Sequence, residues 1–242
     1  MSNPRLVGKI AAVTGGGRGL GRALVRALAE EGADVAFCYR ESRSEAEREA
    51  RTLRESGRRA LVVPADARIP GEMAAFVDEA ASGLGGLDIL INNIGVFREV
   101  SLEALTEEAL DEAFDVNVKA AVMASRAAMV HMRYRAGGSI VNIASLGGLR
   151  PWKNHLPYCA SKAALIMATR CLALALAPKI RVNAVAPGIL DVPGGGEDLA
   201  HRTPLRRFGT HAEVVKAVLF LVIEAEYTTG EVLCVDGGRA WA

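Results

Sequence analysis

The stretch Lys9-Ile-Ala-Ala-Val-Thr14-Gly-Gly-Gly-Arg-Gly-Leu-Gly21, running on into Arg22 to Glu31, decides the fold. Lys9 to Thr14 is a short apolar run of the kind a buried strand needs. Arg22 to Glu31 has helical periodicity and no breaker. Glycine admits backbone angles closed to other residues and lets main-chain N–H groups approach an anion at a helix N-terminus. Strand, glycine loop and helix, in that order, read as the opening of a dinucleotide-binding βαβ unit. The spacing departs from Gly-x-Gly-x-x-Gly: it is Thr14-Gly-x-x-x-Gly-x-Gly, with Gly15, Gly19 and Gly21 in the motif positions. Gly17, Arg18 and Leu20 fall in the same loop and are expected beside the phosphates.

Working outward, Asp34 to Tyr39 reads as the second strand and ends at Tyr39-Arg40-Glu41-Ser42. In a βαβ unit this end faces the adenosine ribose, where an acidic residue suits NAD and an arginine suits a 2′-phosphate. No Asp or Glu occupies the strand end itself, and Arg40, Ser42 and Arg18 are the candidates, with Tyr39 beside them. NADPH is therefore favoured over NADH. The competing reading of Arg40 is a solvated residue heading the charged helix Ser42 to Gly57. Ala60 to Pro64 reads as a third strand, followed by Asp66, which could face the adenine, and Ala67. A helix from Pro70 to Leu84 leads to the strand Leu87 to Asn93 and to Asn92-Asn93-Ile94-Gly95. Helix follows from about Thr106 to Tyr134, broken or kinked at points the sequence does not specify, and carries Asn117, a mid-helix asparagine that needs a partner and is either a structural bridge or functional. Gly138 to Ala144 is the fifth strand, with Ser145 at its carboxyl end. Ile180 to Ala186 is the sixth, before Pro187-Gly188-Ile189, and Glu231 to Asp236 the seventh, after a helix from His211 to Glu224. Such alternation implies one α/β domain over residues 1–242: a Rossmann-like, doubly wound parallel sheet of about seven strands with helices on both faces.

Tyr158-Cys-Ala-Ser-Lys162 opens the apolar run Ala163 to Ala177, so it belongs in a first helical turn. At i and i+4, phenol and ammonium share a helix face. Bringing a tyrosine from about 10 to about 7 needs roughly 4 kcal/mol in favour of the phenolate. One cation at about 6 Å, with an effective dielectric of about 20, supplies roughly 2.8 kcal/mol. The same spacing also arises by chance on many helices, so the surrounding chain has to decide. His155, in the loop before it, reads as a loop-lining residue rather than an acid or base.

With 242 residues, half of them hydrophobic, and a net charge of +1 with the charges interspersed, nothing points to a nucleic-acid stripe. Cys38, Cys159, Cys171 and Cys234 form no Cys-x-x-Cys pair and suit a reducing compartment, and the four histidines lack metal-ligand spacing. The N-terminus carries no apolar signal core, and Arg170 interrupts the most apolar helix. The expectation is a soluble cytoplasmic protein with no metal, membrane or nucleic-acid partner. The helix Tyr158 to Ala177 is apolar nearly all round, which implies a second partner surface and a homo-oligomer, a tetramer being favoured. Ile189 to His201, with Gly194-Gly-Gly196, reads as a mobile loop over the site.

Together the chain resembles the short-chain dehydrogenase/reductase family over essentially its whole length. The resemblance rests on Thr14 to Gly21, Asp66, Asn92 to Gly95, Asn117, Ser145, Tyr158-x-x-x-Lys162, Pro187-Gly188 and the terminal Thr229 to Gly238, all in the family's order. It implies that Tyr158 is the general acid/base and that Lys162 lowers its pKa and holds the nicotinamide ribose. Ser145 would bond the substrate oxygen, and Asn117 would hold a water in a proton relay. Asn93 and Gly95 would line the adenosine side, Asp66 would bond the adenine, and Ile189 would touch the nicotinamide amide through its backbone. Ile94 replaces the family's usual alanine, Val192 stands where many relatives have a threonine, and the lid Ile189 to Thr203 is shorter than in many. The implied activity is NADPH-dependent reduction of a small carbonyl or thioester, most like that of 3-oxoacyl-carrier-protein reductases. Arg133, Arg135 and Lys179 are candidates for a carrier-protein rim. A pteridine reductase and a sugar or polyol dehydrogenase are the enzyme alternatives. A non-catalytic NADP(H)-sensing protein is the rival, disfavoured because all four catalytic positions are filled.

Overall fold

In the computed structural model, which describes residues 3–191 and 197–242, the chain alternates strands and helices around one sheet. The strands are β1 (Ile10–Val13), β2 (Asp34–Tyr39), β3 (Ala60–Pro64), β4 (Ile89–Asn92), β5 (Gly138–Ile143), β6 (Ile180–Pro187) and β7 (Val232–Val235). The helices are α1 (Gly19–Glu30), α2 (Arg43–Glu55), α3 (Glu72–Leu84), α4 (Glu107–Phe114), α5 (Ala120–Met132), α6 (Leu156–Leu176) and α7 (His211–Leu219). All seven strands are parallel, in the order β3-β2-β1-β4-β5-β6-β7. The order reverses between β1 and β4, so the loops leaving their carboxyl ends part there and open a crevice.

A parallel sheet covered on both faces needs strands that are apolar on both. Alternate residues of β1 and β2 show how the sequence meets that need. Ala11, Val13, Val35 and Phe37 point to a core shared with Leu24, Val25 and Leu28 of α1, Ala50 of α2 and Val214 and Val218 of α7. Ile10, Ala12, Ala36 and Cys38 point to the opposite core, built with Phe76 of α3, Ala124 and Met132 of α5 and Ala173 of α6. Burial pushes the Cys38 thiol up to about 12.

The structure locates the break expected between Thr106 and Tyr134: α4 gives way to a π turn at Asp115–Lys119 before α5 begins. A second π turn, Phe220–Glu224, follows α7. The helix of Tyr158 starts at Leu156, with Pro157 in its first turn, where a missing N–H costs nothing. By length and composition α6 would pass for a membrane span. Its Lys162, Leu165, Ile166, Thr169 and Ala173 face is nevertheless buried in the fold.

A polar chain ties α6 to the sheet beneath the candidate catalytic turn. Asn92 Nδ2 donates to Asn142 Oδ1 (2.8 Å), and Asn142 Nδ2 donates to Thr169 Oγ1 (2.9 Å). Buried side chains that satisfy one another in this way fix the position of α6 on the sheet.

Candidate active site

At the carboxyl ends of β1 to β4 the chain leaves a cleft of about 740 Å³. It brings together Gly15, Gly17, Arg18, Gly19, Leu20, Gly21, Tyr39, Arg40, Ser42, Asp66, Ala67, Asn93, Ile94 and Gly95, all singled out in the sequence. Pro187, Gly188 and Ile189 lie outside its lining. The Ile189 carbonyl accepts from the Gly209 N–H at 3.0 Å.

Close approach explains the glycines at two positions. A Cβ on Gly21 would stand 2.0 Å from the Gly15 carbonyl oxygen, so α1 can meet the loop only without a side chain there. Gly19 has φ +52° and open space where its Cβ would project. No side chain caps α1, and its first turn holds no acidic residue. Its N–H groups therefore present unshielded positive ends. A pyrophosphate fits that cradle. Asn93 Nδ2 donates to the carbonyls of Thr14 (3.0 Å) and Gly15 (3.3 Å), while Thr14 Oγ1 accepts from the N–H groups of Asn93 (2.9 Å) and Ile94 (3.1 Å). Asn93 thus clamps the glycine loop to the end of β4 as well as lining the cleft.

The ribose end is more mixed in charge than the sequence reading allowed. Arg40 is ion-paired with Glu41 at 2.6 Å, and Glu41 and Glu45 stand on the same rim as Arg18 and Ser42. The Asp66 carboxylate is held by the Arg68 guanidinium, which keeps it below the usual range. An adenine contact from Asp66 would have to share that carboxylate.

The candidate catalytic groups converge beyond Gly95. Ser145, buried at the end of β5, hydrogen-bonds the Tyr158 phenol, and its Oγ accepts from the Gly147 N–H (3.0 Å). Lys162 is buried, its Nζ donates to the Ile143 carbonyl (2.8 Å), and it sits 6.0 Å from the centre of the Tyr158 ring. Burial alone pushes its ammonium down to about 8. That is its single hydrogen bond among the described residues, and an ammonium carries three donors. The two left over lie beside Gly95, where ribose hydroxyls would fit; a Cβ on Gly95 would meet Nζ at 3.2 Å.

Burial raises the Tyr158 pKa, with Ser145 acting the other way. The role expected of Asn117 is altered. Asn117 Oδ1 accepts from the Val96 N–H (2.8 Å), while its Nδ2 donates to the Val96 carbonyl (3.1 Å) and to Ser161 Oγ (2.9 Å). Both amide hydrogens are engaged, so a water relay through Asn117 would run through its carbonyl oxygens. The structure makes it first a bridge between α6 and the segment after β4.

Sequence reasoning missed Phe97 and the Arg98–Glu112 pair (2.9 Å), which line the far end of the cleft. Phe97 follows directly on Asn92 to Val96, and an aromatic residue so placed was the available signal. Val192 and Gly194 to Gly196, noted in the sequence as part of a lid, lie outside the described residues.

Residues 15–240 match the family described as enoyl-(acyl carrier protein) reductase. A 3-oxoacyl-[acyl-carrier-protein] reductase of Staphylococcus aureus is 34% identical, over 95% of this chain and 97% of its own. Among solved structures, a short chain dehydrogenase from Burkholderia cenocepacia J2315 in complex with NADP is 40% identical, with a TM-score of 0.92 over 97% of this chain and 99% of that one. A blue fluorescent protein from a metagenomic library, in complex with NADPH, is 37% identical, with a TM-score of 0.93 over 98% and 99%. With the glycine loop, the strand order and the Ser145, Tyr158 and Lys162 cluster in place, the chain belongs to the short-chain dehydrogenase/reductase family of NAD(P)-dependent oxidoreductases.

Proposed function

We propose that this chain is an NADPH-dependent reductase of carbonyl groups, with 3-oxoacyl thioesters as the first substrate class to try. The observation that carries the reading is the Tyr158 phenol set beside the Ser145 hydroxyl and the buried Lys162 ammonium. Two hydroxyl groups addressed to one point suit a carbonyl oxygen. NADPH is supported by the cradle at α1, by Arg18 and Arg40 on the rim, and by the NADP and NADPH in the two structural neighbours.

The dinucleotide, when bound, supplies the hydride to the carbonyl carbon. Tyr158 gives its phenolic proton to the oxygen, and Ser145 orients that oxygen and shares its developing charge. Lys162 would hold a ribose hydroxyl with a free donor, and its ammonium would offset the phenolate left behind. Asn117 keeps α6 and the Val96 segment in register, so the proton donor stays where the oxygen arrives. Burial pushes the Tyr158 phenol up, which favours its protonated form, the form that donates in reduction.

Loss of NADPH absorbance against acetoacetyl thioester, a 2-enoyl thioester, a quinone, a pterin and a sugar tests the reading. Turnover is expected with the 3-oxo compound, and the enoyl arm separates reduction of a carbon–carbon double bond from that of a carbonyl. Tyr158→Phe should cut turnover by about 10²- to 10⁴-fold while NADPH affinity changes by less than about threefold. Unchanged turnover in that variant removes Tyr158 from its role.

A further inference from the structure

Four rings meet around the proton donor. Phe97 stands edge-on to Tyr158 with centres 4.8 Å apart and stacks on His155 at 4.9 Å. Trp152 lies nearly parallel to the Tyr158 ring at 5.9 Å and edge-on to His155. The rings come from two loops that lock together: the Val100 N–H donates to the Asn154 carbonyl (2.6 Å), and Asn154 Nδ2 donates to Glu99 Oε1 (3.2 Å). His155 Nδ1 is 2.7 Å from the Lys153 carbonyl. A carbonyl only accepts, so this nitrogen carries the proton and the ring is held in one orientation.

Phe97 is nonetheless 59% exposed, although it lines the cleft and touches the phenol. Stacking on His155 covers part of its ring, and the rest of its surface stays open to water. An apolar ring fixed beside the reacting position and left to water is a surface shaped for a ligand. A flat ring laid on it excludes that water and gains the face and edge attraction of aromatic pairs. A flexible acyl chain would bury similar area but would lose rotamer freedom in doing so.

We propose that Phe97, Trp152 and His155 form a collar around Tyr158 that selects a carbonyl borne on, or conjugated with, a planar aromatic ring. This rests on the reductase reading above and adds to it a preference for ketones that bear a ring. The substrate oxygen would meet Tyr158 and Ser145 while its ring lies against Phe97.

The test compares methyl benzoylformate with methyl pyruvate, which differ by phenyl against methyl next to the same keto group, using the full chain and NADPH. The wild type should favour the phenyl ester by about tenfold or more in kcat/KM. In Phe97→Ala and Phe97→Leu that ratio should fall toward one, and in Phe97→Tyr it should persist. A wild-type ratio near one overturns the proposal. So does a Phe97→Leu enzyme that keeps the full ratio, since the collar would then act only as apolar bulk. Turnover of acetoacetyl thioester with no preference between the two esters sinks the collar and leaves the reductase reading standing. No NADPH oxidation with any carbonyl sinks both.

Discussion

Lys162 is an ammonium taken out of water and given one protein acceptor. Its pKa is pushed from 10.5 down to about 8, so between those values the unfolded chain holds a proton that the folded one has released. Stability from this group therefore rises with pH across that window. Below about 8 the burial cost is fully present, and it amounts to at most about 3 kcal/mol. Urea unfolding of the wild type and of Lys162→Met at about pH 7 and about pH 10 isolates the effect from other titrating groups. The wild type should gain on the variant as pH rises; a difference between them that stays constant would refute it. Both members of the Tyr158–Lys162 pair could be found from their spacing. The direction of the Tyr158 shift could not, because burial depends on the loops that close over the ring, and i to i+4 spacing carries no information about them.

Among the elements, the π turn at Asp115–Lys119 does what no local signal announced. A break or kink was expected between Thr106 and Tyr134, but the stretch contains neither glycine nor proline, so nothing in the sequence marks where it falls. The interruption instead comes with tertiary bonds: the widened turn carries Asn117 fully into the interior, against Val96 and Ser161. The aromatic collar was hidden for the same reason, since Phe97 and Trp152 meet only when two loops far apart in sequence dock. By contrast, the strands of the dinucleotide half and the first turn of α6 were legible, because apolar runs bounded by glycine or proline are local facts. Asn117→Ala removes three hydrogen bonds and takes from the Val96 N–H and carbonyl the partner each has there. It should cost about 2–3 kcal/mol, seen as a lower urea midpoint. Ser161→Ala, which loses only one of those bonds, should cost less. A change under about 0.5 kcal/mol for Asn117→Ala would mean that the bridge does not hold α6 in place.

For the whole molecule, alternating strands and helices made a parallel doubly wound sheet the expectation, and right-handed crossovers left few strand orders to choose from. What a single chain leaves uncovered is as informative as its core. On α6, Ala163, Met167, Cys171 and Leu174 form an exposed stripe at helical spacing, opposite the buried Lys162 face. Met167 is 55% and Leu174 84% exposed. Val130 of α5 and Phe114 of α4 are also exposed. A helix already covering a sheet has no need of a second apolar stripe unless another surface meets it. The proposal is that copies of this chain pack through α6 and the α4–α5 side, a tetramer being the expected end state. Light scattering on the wild type should then give a mass several times that of one chain. Met167→Glu combined with Leu174→Glu would place charges inside that contact, and should shift the protein to smaller species with its helical circular dichroism intact. If the wild type is a stable single chain, the stripe is not an interface, and its apolar residues need another explanation.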